Sequence, residues 1–274
     1  MSHSAAFTVV ESLCASGKGS EDKKEDRLVV TDDFVAVVDG ATSSGPINGK
    51  AGGIVAAECV VEALLALPAD ATARAFVDAA TARLAARMHP WPDETIMRPS
   101  AAVVVWNRAR QEVWRIGDCH YRIDQRDYAG EKEIDKVSYA FRCAVVKARI
   151  ALGVSTVEAE RRIPTLQQPF MPLVSLQHAF LNKDIADPLA YGAICGTPVP
   201  DRFIEVTSTA GAGEFVLCSD GFLSPAATLA DGLADLARIR DADPLMVTLT
   251  QGSRPFADGA DYFDDTTYVR VKVG

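Results

Sequence analysis

The chain has 274 residues, of which 48% are hydrophobic, and its 28 Lys and Arg stand against 37 Asp and Glu for a formal net charge of −9. That balance suits a globular protein with a substantial core and opposes extensive disorder. The acidity excludes non-specific attraction to nucleic acid or to an anionic membrane surface, and it directs attention to clustered carboxylates, which hold hard cations.

Taken in chain order, short apolar runs predict strands at residues 6–10, 27–30 and 34–38. Residues 50–67 and 70–88 then read as two helices. The first starts near Gly52 and Gly53 and stops before Pro68; the second is alanine-rich and closed by Pro90. Strands follow at 101–106, 112–116 and 121–124, and a helix at 132–152. Further strands lie at 191–195, 203–207 and 214–218, then a helix at 226–240 and a last strand at 267–273. Two successive helices between strand groups oppose a βαβ alternation and favour antiparallel sheets with helices packed outside. No repeat or low-complexity linker divides the chain, so 1–274 reads as one domain. Its least regular part is 128–200, where frequent Pro and Gly after Pro164 signal loops. In the 132–152 helix, Val137, Ala140, Phe141, Ala144, Val145, Ala148 and Leu152 form an apolar stripe that needs a surface to bury it.

No run approaches the roughly 20 apolar residues of a membrane span. The N-terminus lacks the basic and apolar regions of a signal peptide, so a cytoplasmic location is expected. The six cysteines are scattered without a CxxC pair and read as reduced, buried thiols. Neither they nor the four histidines show zinc-ligand spacing.

Acidic residues recur at strand ends. The 34–38 run leads into Asp39-Gly40, 112–116 into Gly117-Asp118, and 214–218 into Ser219-Asp220-Gly221. Glu25-Asp26 precedes the second strand, and Asp264-Asp265 precedes the last. Any one of these is explained by a turn, since Asp-Gly is a favoured turn dipeptide. Several abutting buried strands predict a cluster of repelling carboxylates that needs cations, and all-oxygen ligation selects Mg²⁺ or Mn²⁺ over zinc.

Five strings in order carry a resemblance: KEDR at 24–27, VVDGAT at 37–42, RIGDCHYRI at 115–123, FVLCSDGFLS at 215–224 and DDTTYVRV at 264–271. Together they resemble the metal-dependent PPM, or type 2C, serine/threonine phosphatases. The resemblance implies an α+β fold, a four-layer αββα sandwich of two antiparallel sheets flanked by helices. It implies two Mg²⁺ or Mn²⁺ ions bridged by Asp39, with the Gly40 carbonyl and Glu25 (directly or through water) on one and Asp220 and Asp264 on the other. Asp118 with Asp220 would hold a weaker third ion, and Asp26 would support the ligands. The implied chemistry is in-line attack of an activated water on a phosphate monoester, with Asp39, Asp220 and Asp264 as the catalytic carboxylates and no covalent phosphoenzyme.

The chain also departs from the family pattern. Glu21 stands where an arginine usually grips phosphate; Lys18, Lys23 and Lys24 are open as substitutes or as a solvated loop. His120 replaces the arginine of a GDSR motif and is open as a structural histidine or an acid catalyst. DGATSSG replaces a glycine-rich version of the second motif, and residues 128–200 replace the usual flap; that segment is open as a helix capping the sandwich or as a lid over the metals, the latter implying a changed substrate range. Phosphoserine or phosphothreonine in proteins is the expected substrate. The alternatives are a small-molecule phosphate monoester, or a catalytically silent member that binds a partner.

Overall fold

Strand β3 (Phe34–Ala41) serves two cores at once. Phe34, Ala36 and Val38 face a layer of helices, while Val35 and Val37 face the opposite sheet. All five are buried, so the strand reads as a continuous apolar run although its pairings are antiparallel. The computed structural model describes residues 6–41, 45–89, 97–164 and 167–274.

The remaining strands are β1 (Phe7–Ala15), β2 (Arg27–Val30), β4 (Ser100–Asn107), β5 (Glu112–Ile116), β6 (His120–Ile123), β7 (Arg126–Tyr128), β8 (Glu205–Ser208), β9 (Glu214–Cys218) and β10 (Thr266–Val273). Among the described residues they form two five-stranded antiparallel sheets, ordered β1-β10-β9-β6-β7 and β2-β3-β4-β5-β8. Helices α1 (Gly52–Leu65) and α2 (Ala73–Met88) cover the outer face of the second sheet, stacking Phe76 on Trp114 and placing Val60 and Leu84 in the same buried cluster. Helix α6 (Leu229–Ala242) covers the outer face of the first through Leu236 and Ile239. The result is the expected αββα sandwich. Between the sheets, the rings of Trp106 and Phe215 lie 4.6 Å apart. Truncating either to alanine costs about 3–5 kcal/mol.

Strands β2, β5 and β9 coincide with their predicted ranges, and both α2 and α6 carry a threonine N-cap, Thr72 and Thr228. Pro90 lies outside the described residues. The expected strand at 191–195 is instead a pair of isolated bridges, Ala101 with Ile194 and Leu181 with Tyr191. Through the first of them the middle segment is fastened to the start of β4.

That segment holds α3 (Glu133–Ala151), α4 (Val157–Arg161) and α5 (Met171–Leu176). The predicted apolar stripe of α3 is not its buried face: Val137 and Phe141 are half exposed and Leu152 is 78% exposed. The buried side carries Ile134, Ser138, Arg142, Cys143 and Val146. Arg142 is tolerated there because its guanidinium donates to the carbonyls of Leu245 (3.0 Å), Met246 (3.3 Å) and Gly252 (3.2 Å) and to Gln168 Oε1 (3.3 Å). A hydrophobicity pattern cannot anticipate an arginine whose hydrogen bonds are all met inside.

Candidate functional site

Antiparallel pairing brings the predicted acidic residues to one end of the sandwich. In the first sheet, Tyr268 and His120 both pair with Cys218, so Asp118, Asp220 and Asp264-Asp265 gather at the same ends of β6, β9 and β10. In the second, Arg27 pairs with Val38 and Ala102 with Asp39, placing Glu25 beside Asp39. All six predicted residues (Glu25, Asp39, Gly40, Asp118, Asp220 and Asp264) line one cavity of about 170 Å³. The backbones pack so closely there that a Cβ on Gly40 would lie 2.4 Å from the Gly53 carbonyl oxygen, and one on Gly53 2.4 Å from Glu25 Oε1. Gly117 turns the chain into Asp118 at φ +91°, a conformation that suits glycine.

Asp39 and Asp220 are the electrostatic centre. Burial first, then the charges of Asp220, Asp26 and Asp118, hold the Asp39 carboxyl well above the usual carboxylate range. Burial and the charges of Asp118 and Asp264 push Asp220 up to about 8. The two lie within hydrogen-bonding reach, so without a cation a proton shared between them relieves their repulsion. Asp26, beneath them, is pushed by burial to about 7, against the hydroxyls of Ser219 and Thr267.

The other acids are held by cations of the chain. Lys18 pairs with Glu25 and lies 3.4 Å from Asp265. Arg254 lies 2.9 Å from Asp264, and Lys132 lies 2.7 Å from Asp118 and 3.0 Å from Asp135. Burial alone would raise Asp118; Lys132 overrides it and keeps that carboxyl below the ordinary range. Asp265 acts structurally, accepting from the backbone N–H groups of Gly17 (2.9 Å) and Glu25 (2.7 Å) and so tying the loop before β2 to β10. Among the described residues no three acidic side chains are drawn together as a finished ligand set; Glu25, Asp118 and Asp264 are turned onto lysine or arginine instead.

Of the lysines left open by the sequence, Lys18 lines the cavity, whereas Lys24 pairs with Glu21 away from it and Lys23 opens onto a neighbouring surface groove. His120 is buried and its Nδ1 accepts from the Gly130 N–H at 2.8 Å. Burial also lowers its basicity. Residues 42–44, the tail of the second motif, lie outside the described residues. Sequence reasoning missed Lys132, Asp135, Arg254 and Arg98 on the cavity wall. Lys132 at the mouth of α3 and Arg254 before Pro255 carry no local pattern that marks them.

This fold is similar to that of solved PPM-type phosphatases. The serine/threonine phosphatase PstP of Mycobacterium tuberculosis matches with a TM-score of 0.50 at 18% identity, over 97% of this chain and 98% of that chain. The catalytic domain of PstP in complex with two manganese ions matches with a TM-score of 0.52 at 17% identity, over 97% of this chain and 98% of that chain. At such identities the likeness is one of fold. No family profile and no curated protein sequence matches the chain.

Proposed function

We propose that the chain is a Mg²⁺- or Mn²⁺-dependent phosphomonoester hydrolase acting on phosphoserine or phosphothreonine in proteins. The observation that carries this reading is the Asp39–Asp220 pair: two half-buried carboxylates, one from each sheet, within hydrogen-bonding reach where a cation would relieve both. The donor chemistry fits such an ion, because every predicted ligand atom is an oxygen. Glu25, Asp39 and the Gly40 carbonyl would hold one ion; Asp39, Asp220 and Asp264 would hold the second. PstP, which shares the fold, has been solved with two manganese ions.

When bound, paired divalent ions supply a nucleophile from water at neutral pH and neutralise charge on the phosphoryl group. The chain's own residues prepare that chemistry. Lys18 and Arg254, which pair with Glu25 and Asp264 at the cavity wall, would remain there as cations if those carboxylates were engaged as ligands. Lys132 compensates Asp118, the acid expected to share a weaker third ion with Asp220. The middle segment, through Tyr139, Phe170, Met171, Val174 and Tyr191, walls the cavity and narrows the access of water.

That same wall favours a second reading, a small phosphate monoester as substrate, because these residues of the middle segment close around the acidic cluster. Hydrolysis of an aryl phosphate by metal-stripped and Mn²⁺-loaded protein separates an enzyme from a silent binding member. Phosphopeptides assayed beside sugar and nucleoside phosphates then separate the two enzyme readings.

A further inference from the structure

Among the described residues, four Lys and Arg side chains line the cavity: Lys18, Arg98, Lys132 and Arg254. Three of them face carboxylates. Arg98 does not, and its Nε is buried without a hydrogen-bond partner. Beside it stand two more polar groups in the same condition. Both ring nitrogens of His178 and the Oε1 of Gln177 are buried and unpartnered. Burial first and the Arg98 charge second hold the His178 ring below its usual basicity, which places the guanidinium and the imidazole together. All three side chains line the cavity that contains Asp39 and Asp220.

Buried polar groups of native proteins are satisfied, and a trio of them on one cavity wall marks a place where a ligand supplies the partners. The chemistry of the trio selects the ligand. Arg98 presents a planar fork of donors that matches two oxygens of a phosphate or carboxylate. Neutral His178 donates through one nitrogen, and the Gln177 amide donates through its NH₂ when turned about. The mounting is also firm. Pro99 restricts the backbone of Arg98 to extended conformations, and Ala101 is stapled to Ile194 by hydrogen bonds of 2.9 and 3.0 Å. Ala101 pairs with Gly40, so the fork is carried three residues from the strand position opposite the acidic cluster.

We propose that Arg98, flanked by Gln177 and His178, is the anion subsite of this cavity and grips the non-bridging oxygens of the substrate's phosphoryl group. The inference rests on the phosphatase reading and names the residue that does the work expected of an arginine at position 21. It also assigns α5 and the turn after it to substrate recognition, since Gln177 and His178 belong to that turn.

The test uses the whole Mg²⁺-loaded chain, with inorganic phosphate as the probe, for wild type, Arg98→Gln and Arg98→Lys. Calorimetry should show phosphate binding weakened roughly ten- to a hundredfold in Arg98→Gln, with Arg98→Lys between, because a lysine restores charge without the fork. KM for an aryl phosphate should rise more than kcat falls, while Mn²⁺ affinity and the thermal midpoint stay at wild-type values. Wild-type phosphate affinity in Arg98→Gln, or parallel loss of phosphate and Mn²⁺ affinity in both variants, overturns the assignment. Arg98-dependent phosphate binding in a chain that hydrolyses no phosphomonoester would refute the catalytic reading and leave the subsite standing. Hydrolysis indifferent to Arg98 would do the reverse.

Discussion

The ammonium of Lys132 lies 2.7 Å from Asp118 Oδ2 and 3.0 Å from Asp135 Oδ2, so the acid of the GDCH string is neutralised by the chain itself. Against the effect of burial, those two carboxylates raise the lysine well above its ordinary pKa, and it stays charged across the working range. Lys132→Met removes the cation that Asp118 and Asp135 share. The metal-free variant should lose about 3 kcal/mol of stability, the cost of breaking a buried ion pair from one side. It should also gain one Mn²⁺ per chain, because the vacated carboxylates offer oxygen ligands. Thermal unfolding with and without Mn²⁺, together with the calorimetric stoichiometry, checks both expectations.

Asp39 and Asp220 give the metal-free protein a distinctive pH response. Both carboxyls are raised in the folded chain relative to an ordinary value near 3.8, Asp220 to about 8. The folded state therefore binds more protons than the unfolded state between those limits. Their contribution is complete below the unfolded pKa and is lost as pH rises through about 8. The thermal midpoint of metal-free protein should fall between pH 6 and pH 9, and saturating Mn²⁺ should remove most of that fall. Asp220→Asn should flatten the profile without metal. A midpoint that rises over this interval would count against the shared proton.

Asp39→Asn should abolish nearly all turnover, by more than the roughly 10²–10³-fold lost with one stabilising donor in other enzymes. The metal-free fold should be retained or slightly strengthened, since one repelling charge is gone. Near wild-type turnover would remove Asp39 from the site. Circular dichroism and the Mn²⁺ titration distinguish lost chemistry from lost folding.

Much of this site was legible locally. Glu25, Asp39, Asp220 and Asp264 each abut an apolar strand in the sequence, and antiparallel pairing carries all four to one end of the sandwich. The compensating cations were not legible. Arg254 and Lys132 meet their carboxylates through loops and a helix start, and no period or spacing joins them. The exposed apolar face of α3 was misread for the opposite reason. Val137 and Phe141 resemble a core stripe, but burial went to the face bearing Arg142, whose four hydrogen-bond acceptors come from distant loops. The trace at 191–195 has the composition of a strand, yet only Ile194 bridges to β4.

The cavity wall should set preference rather than metal affinity. Met171 and Val174 reach the cavity from α5, and alanine at both opens it beside the acidic cluster. Relative turnover on phosphopeptides against small phosphate monoesters should shift at least severalfold, while Mn²⁺ affinity stays within twofold, about 0.4 kcal/mol. A uniform loss on every substrate together with collapse of metal binding would make α5 scaffold.

Thiol chemistry should be a bystander. Burial pushes the Cys119 and Cys218 thiols upward, and none of the six cysteines lines the cavity among the described residues. Alkylation of the native protein should leave turnover unchanged, as a carboxylate-based mechanism requires.

The most direct measurement is a Mn²⁺ titration of metal-stripped protein, followed simultaneously by calorimetry and by hydrolysis of an aryl phosphate. The account predicts two ions per chain, activity that rises with their binding, and loss of both signals in Asp39→Asn. Full hydrolysis in the presence of chelator, or two bound ions with no hydrolysis of any phosphomonoester, would contradict it.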